Sequence, residues 1–192
     1  DMMRECKSEK SRVIDFPIMD KPESEEYAIE LLSKENPSIL LSIERCSAAQ
    51  DDKYRNMRDL DITVNTARID LLFNIHKTTI GIGDGGNEIG MGNVLDGVDK
   101  SDKLVSYPAV STVNELIISS VSNWGGYGLI SSLSMSTGKN VLPTIDEDMQ
   151  IIRRIVDMGA VDGFSGEQTY KVDGFNLKEN ADALQRLHDI LD

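Results

Sequence analysis

The stretch Thr79–Asn93, TIGIGDGGNEIGMGN, constrains this chain more than any other. An apolar segment, Thr78–Gly83, reads as a buried strand and runs without a break into a turn carrying Gly81, Gly83, Gly85, Gly86, Gly90 and Gly92. Glycines at that density cost backbone entropy on folding. Nothing in the sequence suggests that a core demands them, so they are expected to admit positive φ and the close approach of a ligand. Asp84 follows the strand and Glu88 stands four residues later, so a helix opening near Gly86 would turn both carboxylates toward one opening. Two carboxylates there could hold a divalent cation. The free N–H groups of the same helix start could instead receive an anion. The spacing GxGxxG occurs at Gly81–Gly86, but two acids within the turn would oppose a pyrophosphate. The plain alternative is a tight structural turn in which Asp84 or Asn87 caps a helix.

Around this turn, apolar runs alternate with helical patterns. Val13–Met19 reads as a short strand with a proline that would suit an edge or strand end. Asp20 and Glu23 have capping-box spacing ahead of a helix over Pro22–Lys34. Ser38–Ile43 reads as a buried parallel strand. The highly charged Glu44–Asp61 reads as a long functional loop. Ile62–Ile75 patterns as a helix, Leu116–Val121 as a strand and Gly125–Met135 as a helix. Thr144 and Glu147 box the start of a helix reaching Met158. Ala160–Val161 and Phe164 read as a short strand or turn. Asn176–Leu191 is the last helix, with Leu184, Leu187 and Leu191 on one face. This alternation predicts the α/β class, as a three-layer α/β/α sandwich with a mostly parallel sheet. The 192 residues suit a single domain over 12–192, with 1–11 as a linker or truncated end. Sites in such sheets lie beyond the C-terminal ends of strands.

The balance of charges narrows the partners. A net charge of −13 argues against binding nucleic acid or an anionic membrane through a broad basic face. A small anionic substrate stays compatible, because one arginine can dominate its own site. Cys6 and Cys46 make no disulfide framework, and a cytoplasmic location is the expectation. No apolar run reaches the length of about 18 residues that a membrane-spanning helix needs, and no signal peptide is read.

Two further segments bear chemistry at strand ends. Glu44 and Arg45 close the Ser38–Ile43 strand, and Asn56-Met57-Arg58 lies in the loop that follows. Ser122–Gly126, SNWGG, holds the only tryptophan. Trp124 is read as either core or binding wall, and Asn123 as either a polar anchor or a helix cap. His76 and His188 do not have the spacing of a metal pair and are expected to be structural.

Taken together, LSIER at Leu41–Arg45, Tyr54-Arg55-Asn56-Met57-Arg58, GIGDGGNEIGMGN at Gly81–Asn93, VSNWGGYGL at Val121–Leu129 and GAVDGF at Gly159–Phe164 resemble the D-glutamate cyclase C-terminal-like family. The resemblance covers nearly everything from Val13 to Leu191. It implies a layered α/β/α domain and a lyase-type interconversion of D-glutamate and 5-oxo-D-proline, with loss or gain of water. It also implies a divalent metal, Mn or Mg, at the acidic turn. Carried onto this chain, Asp84 and Glu88 become metal ligands and catalytic acids, with Glu44 a third catalytic candidate. Arg45 and Arg58 become binders of a substrate carboxylate, with Asn56, Asn87, Asn123 and Trp124 as further contacts. The implied partner is a small anionic amino acid, and a homo-oligomer is compatible. A metal-dependent hydrolase of a phosphoester or amide, and a non-catalytic binding remnant, are the alternatives. The chain departs from its relatives in the loop. They commonly carry proline-glycine where Cys46-Ser47 stand, and glycine where Asp52 and Asp59 stand, so a different loop path is expected. They also commonly carry a proline- and glycine-rich segment ahead of the part seen here, so the chain reads as N-terminally shortened.

Overall fold

The computed structural model describes residues 11–192. The expected linker at 1–11 falls, but for Ser11, outside the described residues. Helix α1, Lys21–Glu35, starts where the Asp20 carboxylate accepts the Glu23 N–H at 3.0 Å, with Pro22 in the first turn. It stops at Asn36, whose left-handed backbone returns its N–H to the Leu32 carbonyl. Val13–Met19 is not a strand: residues 11–20 are irregular. Pro17 has no N–H for a ladder. Phe16 instead stands edge-on to Tyr27 with ring centroids 5.0 Å apart, and the Tyr27 hydroxyl donates to the Asp15 carbonyl.

Three strands, β1 (Leu40–Ile43), β2 (Thr79–Gly83) and β3 (Glu115–Ile118), form a parallel sheet in the order β1-β2-β3. The architecture is mixed α/β with this parallel sheet flanked by helices, in keeping with an α/β/α sandwich. β1 pairs on one side only, and Leu41 and Ile43 remain 44% and 48% exposed. The fully buried strand expected here is therefore an edge strand. Its other face, with that of β3, is covered. Leu40 and Leu116 pack with Ile69, Leu72, Phe73, Ile89 and Val113, in part through helix α2 (Asp70–Ile75). A second cluster gathers Met91, Val98 and Val105 around a 3-10 turn, Met91–Val94, and helix α3, Leu95–Asp99.

The helix predicted over Ile62–Ile75 splits into a single 3-10 turn, Thr63–Asn65, and the short α2. Thr63, Val64 and Thr66 are β-branched and Asn65 is a weak helix former. The Thr63 hydroxyl takes the Tyr54 N–H at 3.0 Å, and the Thr66 hydroxyl bonds back to the Ile62 carbonyl at 2.8 Å.

Contacts divide the chain into two compact units, Asp15–Ser122 and one made of residues 11–14 with Asn123–Asp192. The second contains most of helix α4 (Ser122–Thr137), with helices α5 (Ile145–Asp157) and α6 (Leu177–Leu191). Both α5 and α6 open on complete capping boxes, Thr144 with Glu147 and Asn176 with Glu179. Tyr127, Leu142 and Leu184 form its core, with Leu187 and Leu191 on the predicted face of α6. A two-stranded hairpin, β4 (Lys171–Val172) and β5 (Phe175–Asn176), turns on Asp173-Gly174, both at positive φ.

The loop after β1 bends left-handed at Asp52 (φ 61) and Asp59 (φ 57), the two positions where the family resemblance led to an expectation of glycine. Aspartate is among the residues that tolerate this conformation. Asp52 is held by Lys21 at 2.9 Å and Arg68 at 3.1 Å, and Asp59 accepts the Ser106 N–H at 3.1 Å.

Candidate metal centre

The parallel pairing of Ile43 with Ile82 sends β1 and β2 out of the sheet at the same rim. Glu44 leaves β1 there, its N–H on the Ile82 carbonyl at 3.0 Å and its backbone at φ 56. That left-handed conformation is unusual for a glutamate. Asp84 leaves β2 one residue beyond Gly83.

No helix opens near Gly86. The chain instead turns back so that the Glu88 carboxylate enters the loop it belongs to, only 1% exposed. Its Oε1 accepts the N–H groups of Asp84 and Gly85 at 3.0 and 2.7 Å, and its Oε2 accepts that of Gly86 at 2.7 Å. The nest of N–H groups that could have received an outside anion is filled by the chain's own carboxylate. A carboxylate offers about four lone-pair sites. Three are taken, so Glu88 retains one acceptor direction, on Oε2.

The glycines are demanded by packing, contrary to expectation. A Cβ on Gly81 would stand 2.5 Å from the Ile89 carbonyl oxygen, and one on Gly92 would stand 2.4 Å from that of Val110. Gly86 and Gly90 have φ of 101° and 100°. The turn's composition thus answers a structural need, and by itself says little of a ligand.

What does point to one is the convergence of acids. Glu44, Asp84 and Glu88 each offer a carboxylate oxygen, and these oxygens lie within 4.8 Å of one another. Glu44 is exposed, Asp84 half-buried and Glu88 buried. Asp84 Oδ2 also accepts the Ser122 N–H at 2.9 Å, which ties it to the first residue of α4. Like charges this close repel unless a cation or a proton intervenes. An all-oxygen donor set suits a hard divalent ion of the Mg or Mn kind. The residues therefore fit a metal, with Glu44 a candidate ligand beside the two expected from sequence.

A second strand segment staples this turn. Ile89 donates to the Arg45 carbonyl and Ser47 to that of Asn87, both at 2.8 Å, and Cys46 bridges Glu88 in antiparallel fashion. Burial pushes the Cys46 thiol up, which makes it a poor nucleophile. Beneath lies a network no sequence pattern announced. Asp70, 4% exposed, accepts the Tyr54 hydroxyl at 2.5 Å, the Ser47 hydroxyl at 2.9 Å and the Ala48 N–H at 3.1 Å. Burial, and then the Asp70 charge, push the Tyr54 hydroxyl well above the usual phenol range. Tyr54 and Asp70 sit on opposite sides of the irregular 62–69 stretch, so only the fold brings them together.

The remaining candidates are placed as follows. Arg45 Nη2 donates to the Ala67 carbonyl at 2.6 Å, and its Nε is buried without a partner. Asn87, 8% exposed, gives its amide N–H to the Arg55 carbonyl at 2.9 Å. Asn56 Oδ1 accepts the N–H groups of Arg58 and Leu60, which shapes the loop tip. Arg58 is exposed at that tip, next to Met57, whose sulfur lies where a Gly85 Cβ would be. Asn123 and Trp124 belong to the second unit. There Asn123 is exposed, while Trp124 donates its indole N–H to Asn180 at 2.9 Å and leans on Phe175 at 4.9 Å. His76 bonds the carbonyls of Thr78 and Pro37, and His188 bonds Asn140 and the Pro143 carbonyl. Both histidines serve structure.

Comparison with known proteins bears on the same turn. The model of the family described as "D-glutamate cyclase-like, C-terminal" matches residues 2–188. This chain belongs to that family. The human protein named D-glutamate cyclase, mitochondrial, is 29% identical over 181 residues, which cover 79% of this chain. The chain matches only 29% of that relative's length. The expected cytoplasmic location is corrected by this relative, whose name is mitochondrial. Cysteine usage bears at most on redox environment and does not say which compartment supplies it. Among the described residues, no helix is long and apolar enough to cross a membrane.

Proposed function

We propose that this chain interconverts D-glutamate and 5-oxo-D-proline at the Glu44–Asp84–Glu88 rim. The convergence of the three carboxylates within 4.8 Å, in a member of this family, carries the reading. In the ring-closing direction, the α-amine nitrogen attacks the γ-carboxyl carbon. A C–N bond forms, a C–O bond breaks and water leaves. The amine must first lose a proton, and Glu44, the exposed carboxylate of the three, is the group to take it. Arg45, with a guanidinium Nε still lacking a partner, and Arg58 at the loop tip are the groups to hold the α-carboxylate. Asn56 and Asn87 remain candidates for lesser contacts. Asp84, the last lone pair of Glu88 and Glu44 would hold a divalent ion, Mn or Mg, which when bound neutralises the γ-carboxylate and makes its carbon attackable.

Asp84→Ala tests this. Turnover of D-glutamate and of 5-oxo-D-proline is expected to fall by about 10²-fold or more, with loss of bound metal by elemental analysis. A folded variant with unchanged turnover and metal content would remove Asp84 from the site.

A further inference from the structure

Ser122 was not singled out by any sequence pattern, yet it holds an unusual position. The residue is 1% exposed, and its hydroxyl is buried with no hydrogen-bond partner. Buried hydroxyls are nearly always paired, because an unpaired one costs about 1–3 kcal/mol. Nearby Ser119 does not share the fault, since its hydroxyl donates to the Val121 carbonyl. The Ser122 backbone N–H is itself used, on Asp84 Oδ2 at 2.9 Å. Covalent geometry keeps a serine Oγ within roughly 4 Å of its own nitrogen. With the nitrogen 2.9 Å from Asp84 Oδ2, the unpaired hydroxyl lies within roughly 7 Å of that oxygen without bonding to it, and Asp84 is one of three acids whose oxygens converge within 4.8 Å.

We propose that Ser122 Oγ is a ligand of the divalent cation held by Glu44, Asp84 and Glu88, a neutral fourth oxygen beside three charged ones. This rests on the metal reading of the site given above. The chemistry suits it. Hard divalent ions take neutral oxygens readily alongside carboxylates. A serine or threonine hydroxyl in the first turn of a helix ligates Mg2+ in phosphate-binding loops of unrelated proteins. The Ser122 N–H meanwhile occupies one Asp84 oxygen, so the same residue fixes the orientation of one ligand and supplies another. Glu88 has a single acceptor direction left, so a fourth oxygen also makes good what the glycine turn has consumed.

The test is cation binding by calorimetry on the whole chain, with Mn2+ and Cd2+ as probes. Ser122→Ala keeps the backbone N–H to Asp84, so a change in affinity reports the hydroxyl alone. It is expected to weaken Mn2+ binding by about tenfold. Ser122→Cys replaces a hard donor with a soft one, and is expected to weaken Mn2+ while strengthening Cd2+ relative to the parent chain. If the parent chain binds Mn2+ and Ser122→Ala binds it within twofold as well, the inference fails and the three-carboxylate site stands. If the parent chain takes up neither ion, the metal reading itself fails, and this inference with it.

Discussion

At the residue scale, the acids of the site were legible and their division of labour was not. Glu44, Asp84 and Glu88 stand out as carboxylates at strand ends or in a glycine turn. Their spacing suggested a helix with both turn acids facing outward, whereas Glu88 folds inward onto three backbone N–H groups. Only the three-dimensional path of residues 84–88 shows this, because it follows from the left-handed Gly86 and the tight packing around Gly83. The glycines also separate into two kinds. Gly81 abuts the backbone carbonyl of Ile89, which the sheet and the staple to Arg45 hold in place. Gly85 abuts the sulfur of Met57, a flexible side chain that is 46% exposed. Gly81→Ala is therefore expected to cost about 3 kcal/mol, at the upper end of overpacking in a well-packed interior. Gly85→Ala should cost under about 1 kcal/mol, since methionine adapts to changed surroundings. Urea denaturation of the two variants checks the order, and equal costs would show that the Met57 contact is as rigid as backbone.

At the scale of elements, what could be read depended on whether local chemistry decided the outcome. Helix α5 announced itself through Thr144-x-x-Glu147, since a capping box needs nothing from the rest of the fold. Helix α6 was legible from the leucines of one face, and its own box, Asn176 with Glu179, is equally local. The Lys171–Asn176 hairpin was missed although Asp173-Gly174 is a strong local turn signal, because strands of two residues show no alternation. A helix over Ile62–Ile75 was misread because its apolar spacing outweighed the β-branched run at its start. The pairing of α4 with α5 has a consequence for pH. Tyr127 donates to Asp148 Oδ1 at 2.5 Å, while Asp148 Oδ2 is buried with no partner. Burial pushes the Asp148 carboxyl up, and the bond from Tyr127 only partly opposes it. The folded chain thus holds this proton to higher pH than the unfolded chain does. Its contribution to stability is complete below the ordinary aspartate value of 3.8 and is lost as pH rises through the raised one. Asp148→Asn, which keeps the acceptor and removes the charge, is expected to flatten the fall in stability as pH rises above the ordinary aspartate value of 3.8. Chemical denaturation at a series of pH values measures this, and an unchanged slope would acquit Asp148.

For the molecule as a whole, fold class and family could be read from composition, alternation and a handful of motifs, while compartment could not, because two cysteines speak only of redox state. The net charge of −13 sets up the one question about the site that a single-residue view cannot answer. A chain so acidic repels itself at neutral pH, and any cation relieves that repulsion by screening. Stabilisation by Mg2+ or Mn2+ would thus be expected with or without a built site. The two effects differ in form. Screening acts through the Debye length, which is already about 8 Å at physiological salt, so further ions add little. Binding to the folded state adds about 2.7 kcal/mol when the ion is at 100 times its dissociation constant, and about 1.4 kcal/mol more for each further tenfold. In a background of roughly 0.15 M potassium chloride, where screening is largely in place, Mn2+ is expected to raise the melting temperature steadily with the logarithm of its concentration once that exceeds the dissociation constant. Asp84→Asn changes the net charge by one unit among many, so it leaves screening almost intact while removing the carboxylate that joins Glu44 and Glu88 to the start of α4. It should abolish that rise. Parallel curves for the parent chain and the variant would mean that divalent ions act on this protein only through its overall charge, and the three converging carboxylates would then be an acidic rim without an ion to hold.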